Sequence, residues 1–190
     1  PGITVGSEPN VNLTVYNFPV PDVPEYGIVT TVNADFNGVQ GEYTLGYGID
    51  QESAIFISQE TNGQPKYPAE IDYHRIGPMV RARCTHQGYT FLEFEGVSEG
   101  SAGPQPEWEQ NEWWIKVSRA VSIGGPATGY DFPPHVVHVK SKYGTAWQES
   151  VQGKLTLRDS PWDPLSTKLP MREQLSAYLW WPIFLDRSVT

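Results

Sequence analysis

Cysteine is nearly missing from this chain: Cys84 stands alone, which excludes an internal disulfide and any cysteine-based zinc ligand set. Long apolar runs are missing as well. The longest, Tyr178 to Leu185, is interrupted by Pro182 and is too short to cross a bilayer as a helix, so no membrane partner is expected. Basic residues are scarce: 13 Lys and Arg stand against 22 Asp and Glu, a net charge of −9, and they form no basic run. A groove that follows nucleic-acid phosphates needs clustered positive charge, so nucleic acid is not an expected partner either. No secretory leader pattern is visible, and with the lone cysteine this points to a cytoplasmic, reducing setting.

What is abundant is turn chemistry and aromatic bulk. The 18 Gly and 17 Pro favour frequent turns and disfavour long helices, and 13% of residues are aromatic. A length of 190 residues suits a single domain spanning 1–190. Strand signals recur along it. Val11 to Pro19 is β-rich, and Gly27 to Val32 reads as a strand leading to a turn at Asn37-Gly38, residues that tolerate positive φ. Glu42 to Ile49 alternates Tyr43, Leu45, Tyr47 and Ile49 against Glu42, Thr44, Gly46 and Gly48, a period of two with one bulky and one slender face. Ala54 to Ser58 is a short apolar run that suits a strand buried on both faces.

Met79 to Thr85 and Tyr89 to Phe94 form a hairpin around His86-Gln87-Gly88. Ser98 to Gln110 is polar and rich in Gly and Glu, the composition of a surface loop. Strand patterns return at Trp113 to Val121, Val136 to Val139 and Lys154 to Leu157, with a short helix expected over Met171 to Leu175 and a last strand over Ala177 to Phe184. The sum is a mainly β (α+β) fold: an antiparallel, β-barrel-like single domain with short helical segments.

The one chemically distinctive segment is Pro65-Lys66-Tyr67-Pro68. Each proline fixes its own φ and drives the residue before it toward extended backbone, so Gln64 and Tyr67 are restrained and Lys66 is held from both sides. Two readings are open from these residues: a solvated lysine in a proline-rich turn, or a preorganised reactive amine.

Glu60-Thr61-Asn62-Gly63-Gln64-Pro65-Lys66 resembles the active-site segment of acetoacetate decarboxylases, where a glutamate, four variable residues, a proline and the imine-forming lysine occur in this order. Gly38-Val39-Gln40-Gly41-Glu42-Tyr43 resembles the same family's entry to a core strand. Ser160-Pro161-Trp162-Asp163-Pro164-Leu165, succeeded by Leu169-Pro170-Met171-Arg172-Glu173, resembles its C-terminal pattern. The resemblance implies that Lys66 is the nucleophile and Glu60 an acid–base or orienting partner. It also implies that the pocket is lined by Tyr67, which stands where the family usually has a second lysine, and by Tyr16 and Thr31, which occupy the places of two family acids. The resemblance also implies an arginine for the substrate carboxylate on an N-terminal family segment, which is expected to align before Pro1.

For function, the resemblance implies a lyase acting on a small keto acid, with no metal and no organic cofactor, because the lysine itself is the electron sink. Decarboxylation of a β-keto acid is the first expectation. Aldolase, dehydratase or cyclase chemistry on a 2-oxo acid through the same lysine is the alternative, and a non-catalytic barrel binding an apolar ligand is the second. A homo-oligomer is expected from the Trp113-Trp114 and Trp180-Trp181 pairs, of which one member each should face outward. His135 and His138, three apart on a strand, point to opposite faces and share no metal. Arg81 and Arg83 form a solvent face opposite Val80, Ala82 and Cys84.

Overall fold

Strand formation dominates wherever β-branched and aromatic residues alternate. The computed structural model describes residues 2–19, 24–120, 129–161 and 164–190. Its strands are β1 (Thr4–Val5), β2 (Val11–Phe18), β3 (Glu25–Phe36), β4 (Val39–Ile49), β5 (Lys66–Pro68), β6 (Glu70–Ile76), β7 (Met79–His86), β8 (Tyr89–Gln105), β9 (Trp108–Lys116), β10 (His135–Leu157) and β11 (Tyr178–Val189). Helix α1 (Glu52–Asn62) separates β4 from β5, and α2 (Leu165–Lys168) precedes β11. All strands join one sheet in the order β1-β3-β4-β9-β10-β8-β7-β6, with β2 on β3, β5 on β4 and β11 on β10.

The architecture is mostly β in one domain, as expected, but the sheet does not close into a barrel. It is also mixed, since β4 pairs in parallel with both β5 and β9. One core cluster gathers Ile28, Cys84, Phe91 and Leu92 under Tyr67 and Leu155. The second gathers Tyr47, Trp114, Val137 and Val139 with Tyr16 and Val29 against them. Arg81 and Arg83 are exposed while Val80, Ala82 and Cys84 are buried, the alternation read from the sequence.

Several local expectations are corrected. The run Ala54 to Ser58 is helical, within α1, and only Ile55 of that helix is buried while Phe56 and Ile57 face outward. The reason lies at the helix end. Gly63 adopts φ +68°, its N–H bonds the Gln59 carbonyl at 2.9 Å, and Lys116 Nζ donates to the carbonyls of Gln59 and Glu60. A left-handed cap and a cation at the carboxyl end together stop the helix and satisfy its last acceptors.

Ser98 to Gln105 continues β8 instead of looping, paired with β10 through two register shifts that absorb the irregular, glycine-rich backbone. Val136 to Val139 and Lys154 to Leu157 are the two ends of one long strand, β10. The segment Met171 to Leu175 is not helical; the only C-terminal helix described is the four-residue α2. Strand β6 was not among the expected elements. Trp113 and Trp114 are both buried, Trp113 beneath the rings of Phe36 and His138, so neither faces outward. Trp181 does. Val121, Trp162 and Asp163 lie outside the described residues.

Gly63 makes the connection to β5 possible on two counts. Besides its positive φ, a Cβ there would sit 2.6 Å from Lys116 Cα and 2.8 Å from the Ile115 carbonyl oxygen, both backbone atoms that cannot step aside. Gly63→Ala is therefore expected to destabilise the fold by about 2–3 kcal/mol, a fall in Tm of roughly 5–10 °C in thermal unfolding.

Candidate active site

Lys66 opens β5, the short strand that the prolines hold extended. Tyr47 N–H donates to the Pro65 carbonyl at 2.9 Å and Ala69 N–H donates to the Ile49 carbonyl at 2.9 Å, which pins β5 in parallel alongside β4. The Gln59 side chain adds a donor to the Lys66 carbonyl. This register sets Lys66 beside Tyr47 and Tyr67 beside Gly48. Side chains alternate across a strand, so Lys66 and Tyr67 leave on opposite faces.

Tyr67 accordingly joins the first core cluster, its ring 5.0 Å from His86 and 6.4 Å from Phe91. The structure does not place it with Lys66. The slender face of β4 explains this: Gly46 and Gly48 leave the space that the Tyr67 ring fills.

Only 10% of the Lys66 side chain is exposed, and its Nζ lies 4.0 Å from Glu25 Oε2, itself 13% exposed. Burial pushes the amine below the ordinary lysine value, Glu25 pulls it back up, and the charge of Arg187 adds to the lowering. Tyr16 donates its phenol to Glu25 Oε1 at 2.7 Å. It can do so because β2 pairs Tyr16 with Gly27, and the ring lies across that glycine: a Cβ there would stand 2.4 Å from the ring. Burial, then the bond and charge of Glu25, hold the Tyr16 phenol well above the usual range, so it stays a neutral donor.

Beside this pair is a buried carboxylate. Glu112 is 5% exposed and accepts from Tyr47 at 2.9 and 3.1 Å, from Trp114 Nε1 at 2.6 Å, and from the Thr44 hydroxyl. Thr44 and Tyr47 reach the same acid because β4 has a bulge. Thr31 pairs with Thr44 and Thr30 with Gly46, so Leu45 is unmatched and the alternation shifts by one. The expected single bulky face of Tyr43, Leu45, Tyr47 and Ile49 is therefore broken at Leu45, which is left exposed. Burial and the Glu112 charge raise the Tyr47 phenol well above its usual value.

The sequence-derived residues thus divide. Lys66 and Tyr16 are brought together. Thr31 is buried on β3 with its hydroxyl donating to Glu42. Glu60 is exposed in the last turn of α1 and makes no ion pair with Lys66, whose carboxylate neighbour is Glu25. The helical turn and the Gly63 cap between Glu60 and Lys66 account for that separation.

Glu25, Tyr47, Glu112 and Arg187 were not singled out from sequence. The available signals were an acid heading a strand directly after Pro24, an acid within the tryptophan-rich strand Trp108–Lys116, and an arginine closing the apolar last strand. Among the described residues no group of three or more His, Cys, Asp or Glu is arranged to hold a metal ion, and no helix is long and apolar enough to cross a membrane. A groove of about 250 Å³ between β1, β3, β4 and β9 is lined by Ile3, Val5, Val32, Ala34, Tyr43 and Ile115 and does not include Lys66.

The chemistry available at Lys66 is that of a largely buried primary amine with a carboxylate within reach and a neutral phenol, Tyr16, bonded to that carboxylate. Among solved structures the chain is similar to acetoacetate decarboxylase from Legionella pneumophila subsp. pneumophila str. Philadelphia 1, with TM-score 0.68 and 15% identity over 100% of this chain and 73% of that one. It is similar to a second acetoacetate decarboxylase structure at TM-score 0.65 and 17% identity, over 88% of this chain and 68% of the other. It also resembles the enduracididine biosynthesis enzyme MppR complexed with pyruvate, at TM-score 0.62 and 16% identity, over 87% and 66% of the two chains. Identities this low show a common fold. No curated protein sequence matches significantly. The family model for acetoacetate decarboxylase matches residues 1–189, and the chain belongs to that family.

Proposed function

We propose that this chain is a Schiff-base-forming lyase that decarboxylates a β-keto acid through an imine on Lys66. The observation that carries the reading is the burial of the Lys66 side chain, which favours its neutral form. Only a neutral amine attacks a carbonyl, and a free lysine with a pKa of about 10.4 is neutral in roughly one molecule in 2,500 at pH 7. Desolvation is one of the established ways to activate such a nucleophile, and acetoacetate decarboxylase is itself a standard example of an activated lysine.

The steps balance without an added redox partner. The amine adds to the ketone, and loss of water gives a protonated imine. The bond between Cα and the carboxyl carbon then breaks, CO2 leaves, and its electron pair forms the enamine. Protonation at carbon and hydrolysis return the ketone and the free amine. Glu25 takes the acid–base role expected of Glu60, since it is the carboxylate at the amine. Two unit charges at that spacing attract by about 4 kcal/mol at an effective dielectric constant near 20, so Glu25 also suits the cationic imine. Tyr16 holds Glu25 through its phenol.

A second reading keeps the imine but acts on a 2-oxo acid. It draws support from the similarity to MppR, whose structure was obtained with pyruvate. The partner reading is a small keto-acid substrate, together with self-association. The exposed apolar residues Trp181, Ile183 and Leu185 along β11 support the latter.

Borohydride treatment in the presence of acetoacetate is expected to leave a reduced adduct on the Lys66 peptide, and Lys66→Arg to abolish it. Mass spectrometry reads both, and an unmodified Lys66 in the unaltered chain would sink the proposal. Release of CO2 from acetoacetate, with none of the chemistry on pyruvate beyond trapping, separates the first reading from the second.

The pH dependence has a definite sign. Adduct formation should rise with pH through the lowered amine pKa. Glu25→Gln removes the influence that raises that pKa, so the midpoint of the trapping profile should move to lower pH. A shift upward, or none, would contradict the assignment of Glu25.

A further inference from the structure

We propose that Arg187, on the last strand, binds the carboxylate of the substrate. The inference rests on the reading that Lys66 forms an imine with a keto acid, and it names the group that recognises the acid. Arg187 pairs in register with Ser141 of β10, and its Nε donates to Ser141 Oγ at 3.0 Å. Ser141 is buried, so the anchor is fixed.

A bulge then matters. Lys142 pairs with Asp186 and Tyr143 with Phe184, so Leu185 is unmatched, and Phe184 and Arg187 emerge on one face. The guanidinium carbon lies 5.5 Å over the Phe184 ring. Phe184 in turn meets Phe18 edge-on at 6.2 Å, and Phe18 shares a face of β2 with Tyr16. The arginine is thereby tied to the rim of the site that holds Tyr16, Glu25 and Lys66.

Its charge acts on that site, since it lowers Lys66, Tyr16 and Tyr47 alike. With Nε spent on Ser141, the two terminal nitrogens of the guanidinium remain for a ligand, and among the described residues no carboxylate forms an ion pair with Arg187. Other cations are committed elsewhere: Arg75 to Glu149, Arg83 to Asp72, Arg158 to Glu93, and Lys116 to the end of α1. A planar fork, oriented by one bond and one ring, is the geometry that receives a carboxylate. The arrangement selects a keto acid over a neutral ketone, because the ketone offers the fork nothing.

The test uses the full chain and two probes that both carry a ketone, acetoacetate and the neutral acetone, with borohydride trapping on Lys66 read by mass spectrometry. Arg187→Met should raise the half-saturating concentration of acetoacetate roughly 10–100-fold, the usual scale for a lost charge-assisted hydrogen bond. Trapping of acetone, read at a pH high enough that Lys66 is neutral with and without the Arg187 charge, should change less than about twofold. Arg187→Lys should fall between. Ser141→Ala, which frees the guanidinium but keeps its charge, should weaken acetoacetate by about threefold to tenfold and provides an independent arm if Arg187→Met folds poorly. Equal effects on the two probes, or no effect on acetoacetate, overturn the assignment of Arg187 while leaving the imine intact. An unaltered chain that traps neither probe overturns the imine itself, and this inference with it.

Discussion

An amine removed from water loses most of the hydration that stabilises its charge, and one such amine here is under the opposing influence of a carboxylate and a guanidinium. Glu25 favours the protonated form of Lys66 and Arg187 disfavours it, but burial is the largest of the three effects. The enclosure therefore sets the state of the amine, and the charges trim it. That enclosure depends on the parallel contact of Lys66 with Tyr47, because a strand that slipped by one residue would present Tyr67 in place of Lys66. The backbone bonds on either side of Lys66, the proline-restrained segment and the Gly63 turn all serve this one register.

Two unmatched residues shape the rest of the face. Leu45 in β4 lets Thr44 and Tyr47 converge on Glu112, and Leu185 in β11 lets Phe184 and Arg187 emerge together. In each case a strict two-residue period would have sent one member of the pair to the other side of the sheet. Buried carboxylates are costly unless their lone pairs are filled, and Glu112 has two donors from β4, Thr44 and Tyr47, and the Trp114 indole of its own strand. It holds the Tyr47 side chain in place, and Tyr47 is the residue that Lys66 pairs with in register.

Local pattern was enough to find most strands, the hairpin at Gln87-Gly88, the outward Arg81 and Arg83, and the proline-flanked lysine, because each depends on neighbours in sequence. It was not enough for α1. A five-residue apolar run fits a buried strand or a helix equally, and the outcome was decided by Gly63 and by Lys116, more than fifty residues away. That decision moved Glu60 to the surface. Nor does local pattern identify Glu25 or Glu112 as site residues, since their partners lie on other strands. Glu25 is forty-one positions before Lys66 and meets it only because β3, β4 and β5 are adjacent. The closed barrel failed for a related reason: alternation specifies faces, while closure depends on whether edge strands such as β1 and β6 find a partner.

The same desolvation serves two steps of the proposed reaction. Before chemistry it favours the neutral amine, which forms the imine. Once the imine is protonated, the substrate carries a positive nitrogen and a negative carboxylate. Loss of CO2 converts that separated charge into a neutral enamine and a neutral gas. A site poor in water stabilises separated charge less than bulk solvent does, so the charge-collapsing step gains relative to its ground state, an effect whose framing is debated. A carboxylate close to the nitrogen opposes the collapse, because it favours the cationic imine. The 4.0 Å spacing of Glu25 from Lys66 Nζ, with the Tyr16 phenol already bonded to that carboxylate, weakens the opposition. Tyr16 in that position is then no loss of an acid from the site. A second carboxylate there would strengthen the hold on the cation, whereas a neutral phenol tempers the one already present.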